Sequence, residues 1–279
     1  MSPGPFERHG NDKNPLTACA WPQLDEPYGV ALQEAAEFLF SRFDVVAIIA
    51  CGSIVRGNPH PGSDLDIYVI RGELERQRIQ KCFNGVPAEL FVNPLSAVYR
   101  YFREERACGR PCTAHMLTTG HLVYDTDSIG ARLLGEAQRQ LALLPDLPAE
   151  TLQMRRYFAA DLFDNARDML VSDPDTAQVF LNEAVQLSTE FLFLNANRHL
   201  PRPKERLTVL DSWQPTVGNL IRAYYRAPDM ATRWQAAERI AADVLGVTGF
   251  FEWESHPEKV EAEDARVDFT DKDHPGSSF

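Results

Sequence analysis

Lysine is scarce in this chain: only Lys13, Lys81, Lys204, Lys259 and Lys272 occur in 279 residues, and acids outnumber Lys and Arg by 40 to 28, for a net charge of −12. Sequence-independent nucleic-acid binding runs on Lys and Arg neutralising phosphates, so that class is disfavoured, although one RNA end docked at a local basic patch remains compatible. A cationic small substrate suits the acidic balance. No apolar run reaches the roughly 18–20 residues of a membrane-spanning helix. The opening, "MSPGPFERHGNDKNP", lacks the basic and apolar regions of a signal peptide, and the expectation is a cytoplasmic protein. Five cysteines (Cys19, Cys51, Cys82, Cys108, Cys112) form an odd, scattered set that makes a disulfide framework unattractive. The spacing of Cys108, Cys112, His115 and His121 fits no common zinc finger.

What is present is ordinary for a folded chain, 44% hydrophobic and 24% charged, with enough length for a sizeable core. Residues 1–26 show no periodicity and read as a loosely ordered arm. "PYGVALQEAAEFLFSRF" (27–43) has helical spacing, "DVVAIIA" (44–50) is a β-branched strand, "PHPG" (59–62) a loop and "DLDIYVI" (64–70) a second strand. The polar stretch 73–82 reads as helical, "GVPAELFVN" (85–93) as a strand, 94–106 as a helix, "HLVYD" (121–125) as a strand and 128–144 as a helix. This alternation predicts an α+β domain over 27–147, a small mixed sheet with flanking helices.

After the prolines of "LLPDLPAET" the texture changes to long helical patterns, 150–172, 174–200 and 228–247 the clearest, with Asp173 as N-cap ahead of Pro174. They predict an all-α bundle domain over 148–251. Residues 252–279, with nine acids against three bases, read as an acidic, disordered tail.

The chemistry concentrates in "ACGSIVRGNPHPGSDLDIYVI" (50–70). Residues i and i+2 of a strand face the same way, so Asp64 and Asp66 project together and repel unless something positive lies between them. Paired carboxylates on a rigid face are oxygen ligands suited to Mg²⁺, which commonly completes its octahedron with substrate phosphates. Glu89 is the lone charge in "VPAELFV" and would join the aspartates if the two strands lie side by side. Such a set suits two metal ions clamping an in-line phosphoryl displacement, or a carboxylate that deprotonates an attacking hydroxyl. Gly52 permits close backbone approach to a phosphate, Ser53 adds a hydroxyl and Arg56 a positive charge.

Gly52-Ser53-Ile54-Val55-Arg56-Gly57, then Asp64-Leu65-Asp66, then Glu89, resembles the signature of the DNA polymerase β-like nucleotidyltransferase superfamily. An α+β domain followed by a helical one is similar to the aminoglycoside-modifying nucleotidyltransferases. The resemblance implies an enzyme that binds a nucleoside triphosphate, ATP in the first instance, with two Mg²⁺ ions, moves the NMP group to a hydroxyl and releases pyrophosphate. Gly52, Ser53 and Arg56 would hold phosphates; Asp64, Asp66 and Glu89 would be the metal-binding and catalytic acids, with Glu89 as ligand or base. The third acid is often Asp in that superfamily. By the same resemblance Lys204, in "NRHLPRPKERL", would be the counterpart of a triphosphate-binding lysine from the helical half. The implied acceptor is a small molecule, an aminoglycoside-like cation among the candidates. A protein side chain or tRNA end, as in toxin–antitoxin nucleotidyltransferases, and a non-catalytic nucleotide-binding module are the alternatives.

Overall fold

A computed structural model describes residues 14–257. Half of the expected arm, residues 1–13, and most of the expected tail, residues 258–279, lie outside the described residues. Where residues 14–26 are described they pack: a 3-10 turn, Pro15–Ala18, sets Leu16 and Trp21 against the sheet, and Ala20 N donates to Val123 O at 2.7 Å.

The first half builds helix α1 (Tyr28–Arg42), strand β1 (Val45–Cys51), a single turn α2 (Gly52–Val55), strands β2 (Leu65–Arg71), β3 (Gln77–Phe83) and β4 (Val86–Pro94), helices α3 (Leu95–Ala107) and α4 (Cys112–Thr118), strand β5 (His121–Asp125) and helix α5 (Ile129–Ala142). The five strands lie in the order β3-β4-β2-β1-β5, with β2 and β4 parallel and every other pair antiparallel. The sheet is buried on both faces, which is why β1 and β2 read as near-continuous apolar runs. Ala31, Leu32, Ala35 and Leu39 of α1 cover Ile48, Ile67, Val69 and Leu90. Val98, Phe102, Leu117 and Leu133, from α3, α4 and α5, cover Ile49, Tyr68 and Ile70.

One sequence expectation is corrected. The stretch 73–82 is not helical; most of it is β3, joined to β4 through Asn84 and Gly85 at φ 44° and 75°. An Asn-Gly pair with both residues at positive φ is the favoured two-residue hairpin turn. β3 is an edge strand, so its polar residues face solvent on both sides and its sequence carries no apolar alternation.

The second half is helical: α6 (Ala149–Met169), α7 (Pro174–Asn195), a 3-10 turn Pro203–Glu205, α8 (Arg206–Trp213), α9 (Pro215–Arg226) and α10 (Met230–Ile240), followed by a π-helical turn Ala241–Leu245. Asp173 caps α7 as expected, its side chain accepting from Thr176 N at 3.1 Å ahead of Pro174. Ala159, Phe163, Leu181, Val185, Leu210 and Ile221 form the common core of these helices. The result is a mixed sheet flanked by helices and followed by an all-α region. Among the described residues no helix is long and apolar enough to cross a membrane.

Candidate active site

Strand register assembles the acids. Parallel pairing sets Asp66 opposite Glu89, antiparallel pairing sets Asp66 opposite Cys51 of β1, and Gln80 of β3 lies opposite Glu89. Asp64, just ahead of β2, joins them, and one carboxylate oxygen from each of Asp64, Asp66 and Glu89 lies within 4.8 Å of the others. Among the described residues this is the one group of His, Cys, Asp or Glu side chains spaced to hold a metal ion. Three carboxylates so close are unfavourable alone, and oxygen donors in this number fit a hard divalent cation.

The electrostatics show the strain. Burial, with Asp64 and Glu89 adding to it, pushes Asp66 up to about 6, while Arg56 and Arg78 pull the other way. Glu89 Oε1 faces Arg78 Nε at 3.4 Å and accepts from Gln80 Nε2 at 3.3 Å. Arg78 also lies over the Phe91 ring, 3.8 Å from its centroid. The positive partners of Asp66 are thus arginines: Arg56 at the end of α2 and Arg78 on the edge strand.

Gly52 sits at φ +86°, and a Cβ there would run into the Asp66 carboxylate. Both the left-handed backbone and the close approach demand glycine. Gly52→Ala is expected to cost about 1–2 kcal/mol from the backbone alone. By displacing Asp66 it should also lower divalent-ion affinity; a Mn²⁺ titration followed by electron paramagnetic resonance measures this, and unchanged affinity would contradict the packing. Next to it, the Ser53 hydroxyl lies 3.1 Å from that of Ser63, which accepts from His60 N at 2.8 Å, so the loop before Asp64 orients the serine.

Burial, and then the neighbouring Arg202 guanidinium, push the Arg56 pKa down, while Glu205 and Asp66 act in the opposite sense. Lys204 is exposed on the Pro203–Glu205 turn. The cation of this segment whose charge reaches Arg56 and Asp66 is Arg202, held by Glu205 through Nε at 3.1 Å. Arg202 and Arg78 are the residues that sequence reasoning passed over. Arg202 stands two positions from the lysine that drew attention; Arg78 lies on the strand read as helix.

A cavity of about 710 Å³ opens beside the acids, running from Asp66 and Glu89 between β3–β4 and α3–α4. Its floor is Tyr68 and Phe91, whose rings are stacked at 5.7 Å and 9°.

Among solved structures, the crystal structure of a nucleotidyltransferase-like protein from Exiguobacterium sibiricum 255-15 is similar at 14% identity and a TM-score of 0.46, over 78% of this chain and 73% of that one. No curated protein matches the chain. The family model described as nucleotidyltransferase domain matches residues 32–105, the segment that carries the Gly52-Ser53 turn, Asp64, Asp66 and Glu89.

Proposed function

We propose that the protein is a Mg²⁺-dependent nucleotidyltransferase that moves NMP, AMP from ATP in the first instance, to a hydroxyl of a small molecule. The observation that carries this reading is the β2–β4 register, which sets Glu89 beside Asp66, with the Gly52-Ser53 turn against the same aspartate from the β1 side. Held by Asp64, Asp66 and Glu89, the divalent ion would supply neutralising charge to the phosphoryl oxygens. Ser53 and Arg56 lie on the β1 side of Asp66 and, with Arg202, whose charge reaches Arg56, would bind the phosphates, Ser53 by its hydroxyl and the arginines by charge-assisted hydrogen bonds.

The acceptor oxygen attacks the α-phosphorus, the bond from that phosphorus to the α,β-bridging oxygen breaks, and pyrophosphate leaves with the electron pair. Where Glu89 acts as the base rather than as a third ligand, the hydroxyl proton passes to its Oε2, since Oε1 is the oxygen engaged by Arg78 and Gln80, and Asp64 and Asp66 then hold the ion.

The test follows pyrophosphate release with each NTP, Mg²⁺ and panels of hydroxyl acceptors. Release should require both the divalent ion and an acceptor. Asp64→Ala, at an exposed position, should cut the rate by about 10³-fold while leaving the fold intact, several kcal/mol of lost charge stabilisation. Undiminished turnover in that variant would overturn the assignment.

A further inference from the structure

We infer that the cavity beside the acids seats the acceptor, and that it takes a planar hydroxy compound carrying an anionic group rather than a polycation. The inference rests on the phosphoryl-transfer reading above and names the substrate class of that site. In an in-line displacement the attacking and leaving oxygens lie on opposite sides of the phosphorus. Ser53 and Arg56 stand on the β1 side of Asp66, so pyrophosphate departs there. The acceptor then enters from the other side, across Glu89, where the cavity lies.

The lining sets the chemistry. About 710 Å³ accommodates one small molecule. The stacked Tyr68 and Phe91 rings give the cavity an aromatic wall, with Arg78 over Phe91, that suits a planar aromatic body more than a flexible polyamine. Two guanidiniums, Arg76 and Arg78, line the β3 side. Arg76 is held by the Tyr101 hydroxyl, to which its Nη1 donates at 2.7 Å. Away from the metal-type acids, the cavity's remaining carboxylate is Glu105, and Thr113 occupies both of its oxygens, through N at 2.7 Å and Oγ1 at 2.6 Å. Away from the metal-type acids a polyamine would therefore meet two arginines and one engaged carboxylate, whereas an anion meets Arg76 and the part of the Arg78 guanidinium that its pairing with Glu89 leaves free.

Tyr68 supplies an independent pointer. Its residue is 2% exposed, yet its hydroxyl has no partner of normal hydrogen-bond geometry, and the Thr113 hydroxyl beside it donates to Glu105 instead. A buried unpaired hydroxyl at a cavity wall is a cost that a bound polar group removes.

Para-hydroxycinnamate and para-hydroxybenzoate are the anionic planar probes and kanamycin the polycation, each titrated into the full-length protein with Mg²⁺ and a non-hydrolysable ATP analogue and followed by protein-observed NMR. The hydroxycarboxylates should bind saturably. Arg76→Gln, at an exposed side chain, should weaken them about tenfold, and Tyr68→Phe, which deletes one atom, about threefold, with affinity for the ATP analogue unchanged. Preferential binding of kanamycin, no saturable binding of either hydroxycarboxylate, or affinities indifferent to both substitutions would overturn the inference. So would parallel loss of ATP-analogue affinity, which would give the cavity to the nucleoside. Failure of the transferase reading shows separately, as turnover that survives Asp64→Ala.

Discussion

Asp66→Asn is expected to silence nucleotidyl transfer and, in the same molecule, to stabilise the unligated fold. The two effects share one cause. Asp66 is packed under Gly52 and faces two other carboxylates, and that setting raises its pKa to about 6. A carboxyl whose folded-state pKa exceeds its unfolded value favours folding when protonated. That stability is fully present below the unfolded value near 4 and is lost as pH rises through about 6. Above that pH the native protein carries the penalty of the ionised group. Two pKa units correspond to about 3 kcal/mol, and partial exposure of the side chain reduces this to about 1–2 kcal/mol. Asn removes the charge and keeps the shape, so metal-free Asp66→Asn should melt higher than wild type at pH 8 and equally at pH 4.

Divalent ion reverses the order, because binding needs the carboxylates ionised and stabilises the state that holds them together. With Mg²⁺ at pH 8 the wild type should gain stability and Asp66→Asn should not, while its transfer rate falls by about 10³-fold or more. Thermal melts with and without Mg²⁺ at the two pH values check this. A variant less stable than wild type in the absence of metal at pH 8 would show that Asp66 is a structural acid.

The acids were legible in the sequence because local rules place them. The i, i+2 spacing puts Asp64 and Asp66 on one side, and a lone Glu89 within an apolar alternation has to face something polar. What sequence cannot provide is the register that joins them, since a slip of one residue along β4 would put Ala88 or Leu90 beside Asp66. The polar edge strand was missed for a different reason. Gln77–Phe83 buries almost nothing, so periodicity is silent there, and the usable signal was the Asn84-Gly85 turn. That error hid Arg78, the cation facing Glu89. Arg202 was hidden by tertiary packing: it approaches Arg56 only because the turn after α7 folds back towards the sheet, and its own segment offers equally good cations at Arg198, Lys204 and Arg206.

Glu190 shows the same limit and carries the largest expected loss of stability. It lies inside α7, in the run "QLSTEFLFLN", where a helical pattern gives no reason to single it out. The structure buries it to 5% exposure and surrounds it with arginines from three other segments: Arg110 of the loop before α4, Arg155 of α6 at 3.8 Å and Arg206 of α8 at 3.1 Å. The carboxylate thereby ties the loop leaving the sheet layer to the helical region, beside the backbone bond from Leu200 N to Gly109 O at 2.8 Å. Removing one partner of a buried charge cluster leaves the others uncompensated, typically at about 3–5 kcal/mol. The arginines here are partly exposed and rehydrate in part, which brings Glu190→Ala to about 2–4 kcal/mol. Glu190→Gln keeps an acceptor and the volume, and should cost about half as much. For a chain of this size the alanine variant should melt lower by about 5–12 °C. Because Arg206 continues the segment that presents Arg202 towards Arg56, the KM for the triphosphate should rise with it, ahead of any change in kcat. Thermal melts and steady-state kinetics on both variants separate the outcomes: an alanine variant that melts with the wild type would show that the three arginines hold their places without Glu190.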